Sequence, residues 1–195
     1  MITAPTKRRA MARPPAARNK VLESYISLLC EEGERAATLD ATAARAGVSK
    51  GGLLYHFASK EALAEAVIEA AEVHIAHDVE LMSNSAEGGA AYFIRTSAEV
   101  DTELDRHLVA LHRLAQAGVK SATDKIESTN ERWYGAILED VGSKDLAHLV
   151  MLTGEGLYAS LSLPSNWYQR NFAGELDRLL ELVSSIKKLG NLNQH

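Results

Sequence analysis

The 195-residue chain has a formal net charge of −5, with 46% hydrophobic and 24% charged residues. These are ordinary values for one or two folded globular domains. Its apolar runs stop well short of the roughly 20 residues that cross a bilayer and its start lacks a secretory h-region, so a cytoplasmic protein without a membrane partner is expected. The lone cysteine, Cys30, excludes an internal disulfide and a cysteine-rich metal site, and it falls among Ile26, Leu28 and Leu29 as a core thiol.

Charge is unevenly placed. Residues 1–60 carry ten Lys/Arg and five Asp/Glu, a net of +5, which leaves −10 for the rest of the chain. A basic N-terminal part on an acidic body is the distribution expected of a DNA reader with a second domain that does not touch DNA. Alanine and leucine dominate without strand-like alternation, so the chain reads as all-α.

Residues 1–17 hold three prolines and Lys7, Arg8, Arg9 and Arg13. They read as a disordered arm that either lies along phosphates or serves as a solubilising tail. A first helix is expected over 18–32, where Leu22, Tyr25, Ile26 and Leu29 recur at helical spacing. Its Arg18 and Lys20 oppose the helix dipole at that end, a cost more readily tolerated if they face phosphate. Thr38 or Asp40 can cap a short second helix through Ala46, with Leu39, Ala43 and Ala46 on its buried side. Gly47 supplies the left-handed stop. Ser49 caps a third helix, Lys50 to about Tyr55, and Ser59 a fourth. Two short helices joined by a tight glycine turn form a helix-turn-helix, whose second helix fits the major groove.

The stretch GVSKGGLLYHFASKEAL resembles the DNA-binding signature of the TetR family of transcriptional regulators. The glycine turn, the Ser-Lys-Gly helix start, the Tyr-His-Phe exit and the Ser-Lys-Glu-x-Leu opening of a long helix all stand at the family's spacing. The resemblance implies operator contacts at Thr38, Ser49, Lys50, Gly51, Gly52, Leu54, Tyr55, His56 and Lys60. The chemistry of these residues agrees. Thr38 and Ser49 offer hydroxyls and helix N-terminal N–H groups to phosphate, and Lys50 is a flexible cation. Gly51 and Gly52 let backbone approach the groove floor, and Tyr55 and His56 are donors. Two departures stand out. Gly52 replaces a base-reading Thr or Asn, and Leu54 replaces an aromatic, which shifts specificity towards Lys50, thymine methyls and DNA shape.

A long helix is expected from Lys60 to about Met82. In the resembled family it links the DNA-reading head to the body, so its tilt sets the spacing of two heads in a dimer. His74, His77 and Asp78 share one face of it, and the expectation is a solvated stripe with no metal. A polar loop over 83–89 precedes helices over 90–102, 104–118, 121–140 and 146–163, and a single helix over 168–189 closes the chain.

The last two helices read as a homodimer interface. They offer more leucine than an outer layer needs, and Gly154, Gly156, Ala159 and Ser160 permit close helix approach. The resemblance adds that such a pair forms a four-helix bundle about a two-fold axis. The other helices should enclose a small-molecule effector site lined from Phe93, His107, His112, Trp133, Tyr134, Met151, Glu155 and Tyr158. Aromatic walls with a carboxylate suit an aromatic or cationic compound.

The expected organisation is an arm over 1–17, a three-helix helix-turn-helix DNA-binding domain over 18–62, and a helical ligand-binding and dimerisation domain over 63–195. The expected function is a homodimeric repressor on palindromic DNA, released by a small molecule. No catalytic or cofactor motif is present, so neither enzyme activity nor a cofactor is expected. Two other readings remain at this point. One is a ligand-independent architectural DNA binder of low specificity. The other is a helical sensor with a vestigial helix-turn-helix.

Overall fold

The computed structural model describes residues 14–162, 167–172 and 174–192, so most of the expected arm lies outside the described residues. Ten helices and no strand occur among them. The all-α class follows from the alanine- and leucine-rich pattern with breakers confined to the connections. The chain divides into two compact units, Met1–Val67 and Ile68–His195.

In the first unit, α1 (Pro14–Glu32) begins four residues before the expected start. Proline is tolerated in a first turn because its missing N–H would have no partner there. Val21, Tyr25, Ile26, Leu28 and Leu29 are buried on its inner face. Helix α2 (Leu39–Ala46) starts at Thr38, whose side chain accepts from the Ala41 N–H at 3.1 Å. Its buried positions are Thr42, Ala43 and Ala46, while Leu39 is only half-buried. Thr42 can take that place because its hydroxyl donates to the Thr38 carbonyl at 2.8 Å, which satisfies the polar group inside the helix itself. Gly47, at φ 65, ends α2 in the left-handed conformation that a Cβ would disfavour. Helix α3 (Lys50–His56) follows, with Ser49 accepting from the Gly52 N–H at 3.0 Å. Leu53, Phe57, Leu63 and Val67 complete this core. Each large aliphatic removed from water there contributes about 1.5–3 kcal/mol before chain entropy is set against it.

Helix α4 (Lys60–Ser83) runs through the boundary at Val67 and supplies residues to both units. The second unit adds α5 (Gly89–Ser97), α6 (Glu103–Gln116), α7 (Lys120–Val141), α8 (Lys144–Ser162), α9 (Trp167–Phe172) and α10 (Leu176–Leu192). Two expectations need correcting. Helix α5 stops at Ser97 instead of 102, because Thr102 is taken as the N-cap of α6, accepting from the Asp105 N–H at 3.0 Å. The closing stretch is two helices and not one, and Gly174 stands between them at φ 83.

The core of the second unit gathers Met82, Phe93, Ile94, Ile137, Val141, Leu146 and Val150. Polar ties join the helices around it. Glu72 of α4 accepts from Lys125 and from Arg132 of α7, each at 2.9 Å. The Lys125 hydrogen bond, ahead of Arg132, holds the Glu72 carboxyl below its ordinary range. Lys187 of α10 pairs with Asp140 of α7.

Gly154 of α8 is buried against α5. A Cβ built there would lie 2.4 Å from Phe93 Cε1 and 2.8 Å from Ser97 Oγ. The small residue therefore permits close approach inside the chain, and the expectation that Gly154 serves an interface between copies is corrected. Gly156, on the same helix, has nothing within 4 Å of such a Cβ.

Candidate nucleic-acid interface and effector cavity

The outer surface of α2 and α3 is built by caps and by one buried anchor. Leu53 is fully buried, so α3 is held by that side chain and its other positions turn outward. Tyr55 is 81% exposed and Leu54 39%. His56 packs edge-on to Tyr55, with ring centroids 5.1 Å apart. Lys50 Nζ reaches Asp40 at 2.9 Å, an exposed pair that a phosphate could displace. Gly51 has open space around it, whereas a Cβ at Gly52 would meet Ser49 Oγ at 3.3 Å. Gly52 thus keeps the cap hydroxyl uncrowded.

Lys60 stands apart from this group. Its ammonium donates to the Glu34 carboxylate at 2.6 Å and to the Glu34 carbonyl at 3.0 Å. The charge is engaged inside the unit, where it ties the start of α4 to the turn after α1. Arg18 lies with its guanidinium 4.8 Å above the Phe57 ring, a cation–π contact.

In the second unit a cavity of about 490 Å³ opens between helices α4 to α8. Phe93, His112, Trp133, Glu155 and Tyr158 all line it. Met151 does not, which corrects the expectation, because it packs against the core around Ile137 and Val150. His107 and Tyr134 also lie elsewhere. The His107 ring is tilted against that of His74, with centroids 4.3 Å apart, and Tyr134 stacks on His148 at 5.0 Å.

Asp78 forms the polar floor. Its two oxygens accept from Tyr92 Oη at 3.1 Å and Trp133 Nε1 at 2.8 Å. Burial pushes its carboxyl above the ordinary range, and these two hydrogen bonds oppose the shift only in part. Tyr92 is pushed up to about 12, first by its own burial and then by the neighbouring Asp78 charge. Across the cavity Asp105 accepts from the Tyr158 hydroxyl and, at 2.9 Å, from the Asp101 N–H. Asp101 itself sits at φ 64, unusual for a residue with a Cβ. Four carboxylates (Asp78, Glu99, Asp105 and Glu155) line the space, and no Lys or Arg is among the described lining residues. The apolar wall is carried by Phe93 and Trp133, whose ring centroids are 5.7 Å apart.

The sequence reading overlooked Asp78, Asp105 and Asn130 as lining residues. Helical period would have reached Asn130, since Ile126, Asn130 and Trp133 form one stripe of α7. Asp78 was grouped with His74 and His77, but it turns to the cavity while His77 stays exposed.

Helices α8 to α10 leave Leu149, Leu152, Trp167 and Leu182 exposed, at 51%, 68%, 50% and 55%. No helix among the described residues is long and apolar enough to cross a membrane.

A capped helix-turn-helix on an all-helical second unit that encloses a cavity defines a DNA-binding transcriptional regulator. Residues 22–67 match the family described as bacterial regulatory proteins, tetR family. Solved structures extend the likeness in fold to nearly the whole chain. GusR of Salmonella enterica is similar at TM-score 0.63 and 17% identity, over 93% of this chain and 100% of that one. A transcriptional regulator from Rhodococcus sp. Rha1 matches at TM-score 0.61 and 20% identity, over 85% and 95%. A gamma-butyrolactone receptor (ArpA-like protein) matches at TM-score 0.57 and 21% identity, over 90% and 99%. No curated protein matches the chain by sequence.

Proposed function

We propose that the protein is a homodimeric repressor that binds palindromic operator DNA and is released by a small organic cation bearing an aromatic ring. The observation that carries the DNA reading is α3 itself, capped by Ser49, anchored by Leu53 and presenting Tyr55, Lys50 and the bare backbone of Gly51 outward. Thr38, Ser49, Gly52, Leu54 and His56 surround them as phosphate and groove contacts. Residues 18–62 then serve as the DNA-reading domain and 63–195 as the effector and dimerisation domain. The exposed leucines of α8 and α10 supply the seam between copies. A recognition helix of barely two turns reads too few bases alone, and a second copy on a palindrome supplies the rest.

The cavity's chemistry supports the effector class. A space of about 490 Å³ lies in the range of drug-sized ligand sites. Four carboxylates and no Lys or Arg line it among the described residues, with Glu99 meeting a cation, Arg95 at 3.5 Å, and this favours a positive ligand, while Trp133 and Phe93 offer faces for stacking. Asp78 makes such a ligand consequential. It pays a burial penalty that a cation would relieve, and it sits on α4, the helix that also contributes to the DNA-reading unit. Ligand binding would favour one disposition of α4 over another. Operator affinity can fall only by the ratio of the ligand's affinities for the two states.

The test is selection of bound duplexes from a random pool at near-physiological salt, with wild-type protein and with a Lys50→Ala/Tyr55→Ala variant. Recovery of a palindrome by wild-type alone supports the reading. Binding without consensus that vanishes as salt rises favours a low-specificity architectural binder. Equal recovery by the variant refutes the assigned contact surface.

A further inference from the structure

We propose that His74, Glu103 and His107 form a binding site for a divalent transition-metal cation of the zinc type, bridging α4 and α6. One ligand atom from each residue lies within 4.8 Å of the other two. Glu103 and His107 are one turn apart on α6 and so share a face, and His74 reaches them from α4. This is not the cavity site. None of the three residues lines that cavity, while Leu104, Asp105, Leu108 and His112 of α6 do. On a helix of 3.6 residues per turn, positions 103 and 107 point away from those four.

The surroundings of His107 resemble those of a metal ligand. The ring is 3% exposed, and its Nδ1 is 2.7 Å from the Glu103 carbonyl oxygen. A carbonyl can only accept, so Nδ1 carries the hydrogen and Nε2 is the nitrogen left for coordination. Metal-bound histidines are oriented by this kind of outer hydrogen bond. The His74 ring lies 4.3 Å from that of His107, centroid to centroid. Two imidazoles so close are well placed to share a cation.

The third residue supplies charge and access. Glu103 is exposed and meets Arg106 at 3.2 Å, a surface pair that a cation can displace at little cost. Two imidazoles and one carboxylate are a donor set used for zinc with a fourth position left open, and imidazole disfavours magnesium and calcium. Tetrahedral zinc with bonds of about 2.0–2.1 Å holds its ligand atoms roughly 3.4 Å apart.

The experiment uses the full chain, freed of metal by chelator and titrated with Co2+, with the visible absorption of the bound ion as the readout. One Co2+ per chain, displaced by Zn2+, is expected. His74→Gln and Glu103→Gln should each weaken binding by more than about tenfold, since loss of even an outer hydrogen bond costs that much. His77→Gln, at an exposed neighbour outside the set, should change nothing. Glu103 is exposed, so its variant keeps the fold whether or not the His74 variant does. No cobalt band in the wild-type protein overturns the site. So does a band undiminished by Glu103→Gln, or one abolished by His77→Gln. None of these outcomes depends on whether the protein binds DNA.

Discussion

Replacing Gly154 by Ala tests the close approach of α8 to α5. The new methyl would stand 2.4 and 2.8 Å from two carbons of the Phe93 ring and 2.8 Å from Ser97 Oγ. Carbon contacts settle near 3.5–4.0 Å, so the ring must retreat by about 1 Å or more. Phe93 is 7% exposed and backed by Trp133, so the open direction is the cavity that it lines. Overpacking of this kind costs about 1–3 kcal/mol, offset by about 1 kcal/mol gained when Ala replaces Gly in a helix. Gly156→Ala on the same helix isolates the second effect, because its methyl meets nothing within 4 Å. That variant should be up to about 1 kcal/mol more stable than wild-type, and Gly154→Ala should fall below it by about 1–3 kcal/mol. In a chain of this length the gap corresponds to roughly 2–12 °C in Tm. Thermal melts followed by circular dichroism provide the comparison. A Gly154→Ala protein as stable as Gly156→Ala would refute the packing argument.

The remaining predictions concern charge burial, the interface and the recognition helix. Asp78→Asn keeps groups able to serve Trp133 and Tyr92 while removing a buried charge. Because burial raises the Asp78 pKa, that residue's stabilising contribution is full below the unfolded carboxylate pKa and is lost as pH rises through the folded value. The Asn variant should therefore gain on wild-type at neutral pH, and the gain should shrink on acidification, as read by urea melts at several pH values. Leu152→Glu, at a side chain 68% exposed within one chain, should leave the fold intact and shift sedimentation from dimer to monomer. Two leucines lost from a symmetric seam, at about 1.5–3 kcal/mol each, correspond to at least about a hundredfold in dimer Kd. Ser49→Ala should cost about 1 kcal/mol in the first unit, since α3 has only seven residues over which to absorb a lost cap. Operator titrations should show a parallel loss of affinity, and an unchanged affinity would argue that α3 does not need its cap.

The sequence by itself determined the helix-turn-helix, because its specification is local. Thr38 and Ser49 each satisfy an N–H three residues on, and Gly47 ends a helix through its own φ. Such interactions are complete within one turn, so residue type and spacing suffice to read them. Residue type likewise nominated Phe93, Trp133 and Tyr158 for the effector cavity, and all three line it. What only the tertiary structure decided are pairings between distant residues. Lys60 is held by Glu34, 26 positions away, which nothing in its local pattern distinguishes from a free surface charge. Asp78 meets Trp133 across 55 positions, and that contact turns one acid of an apparently solvated stripe into the floor of a cavity. Gly154 has the small size that suits a seam between copies, but Phe93 of the same chain packs against it. The physical reason is common to all three. A helix's own sequence specifies which face is apolar or small, whereas the partner that covers the face depends on how separate helices pack, which local periodicity does not carry.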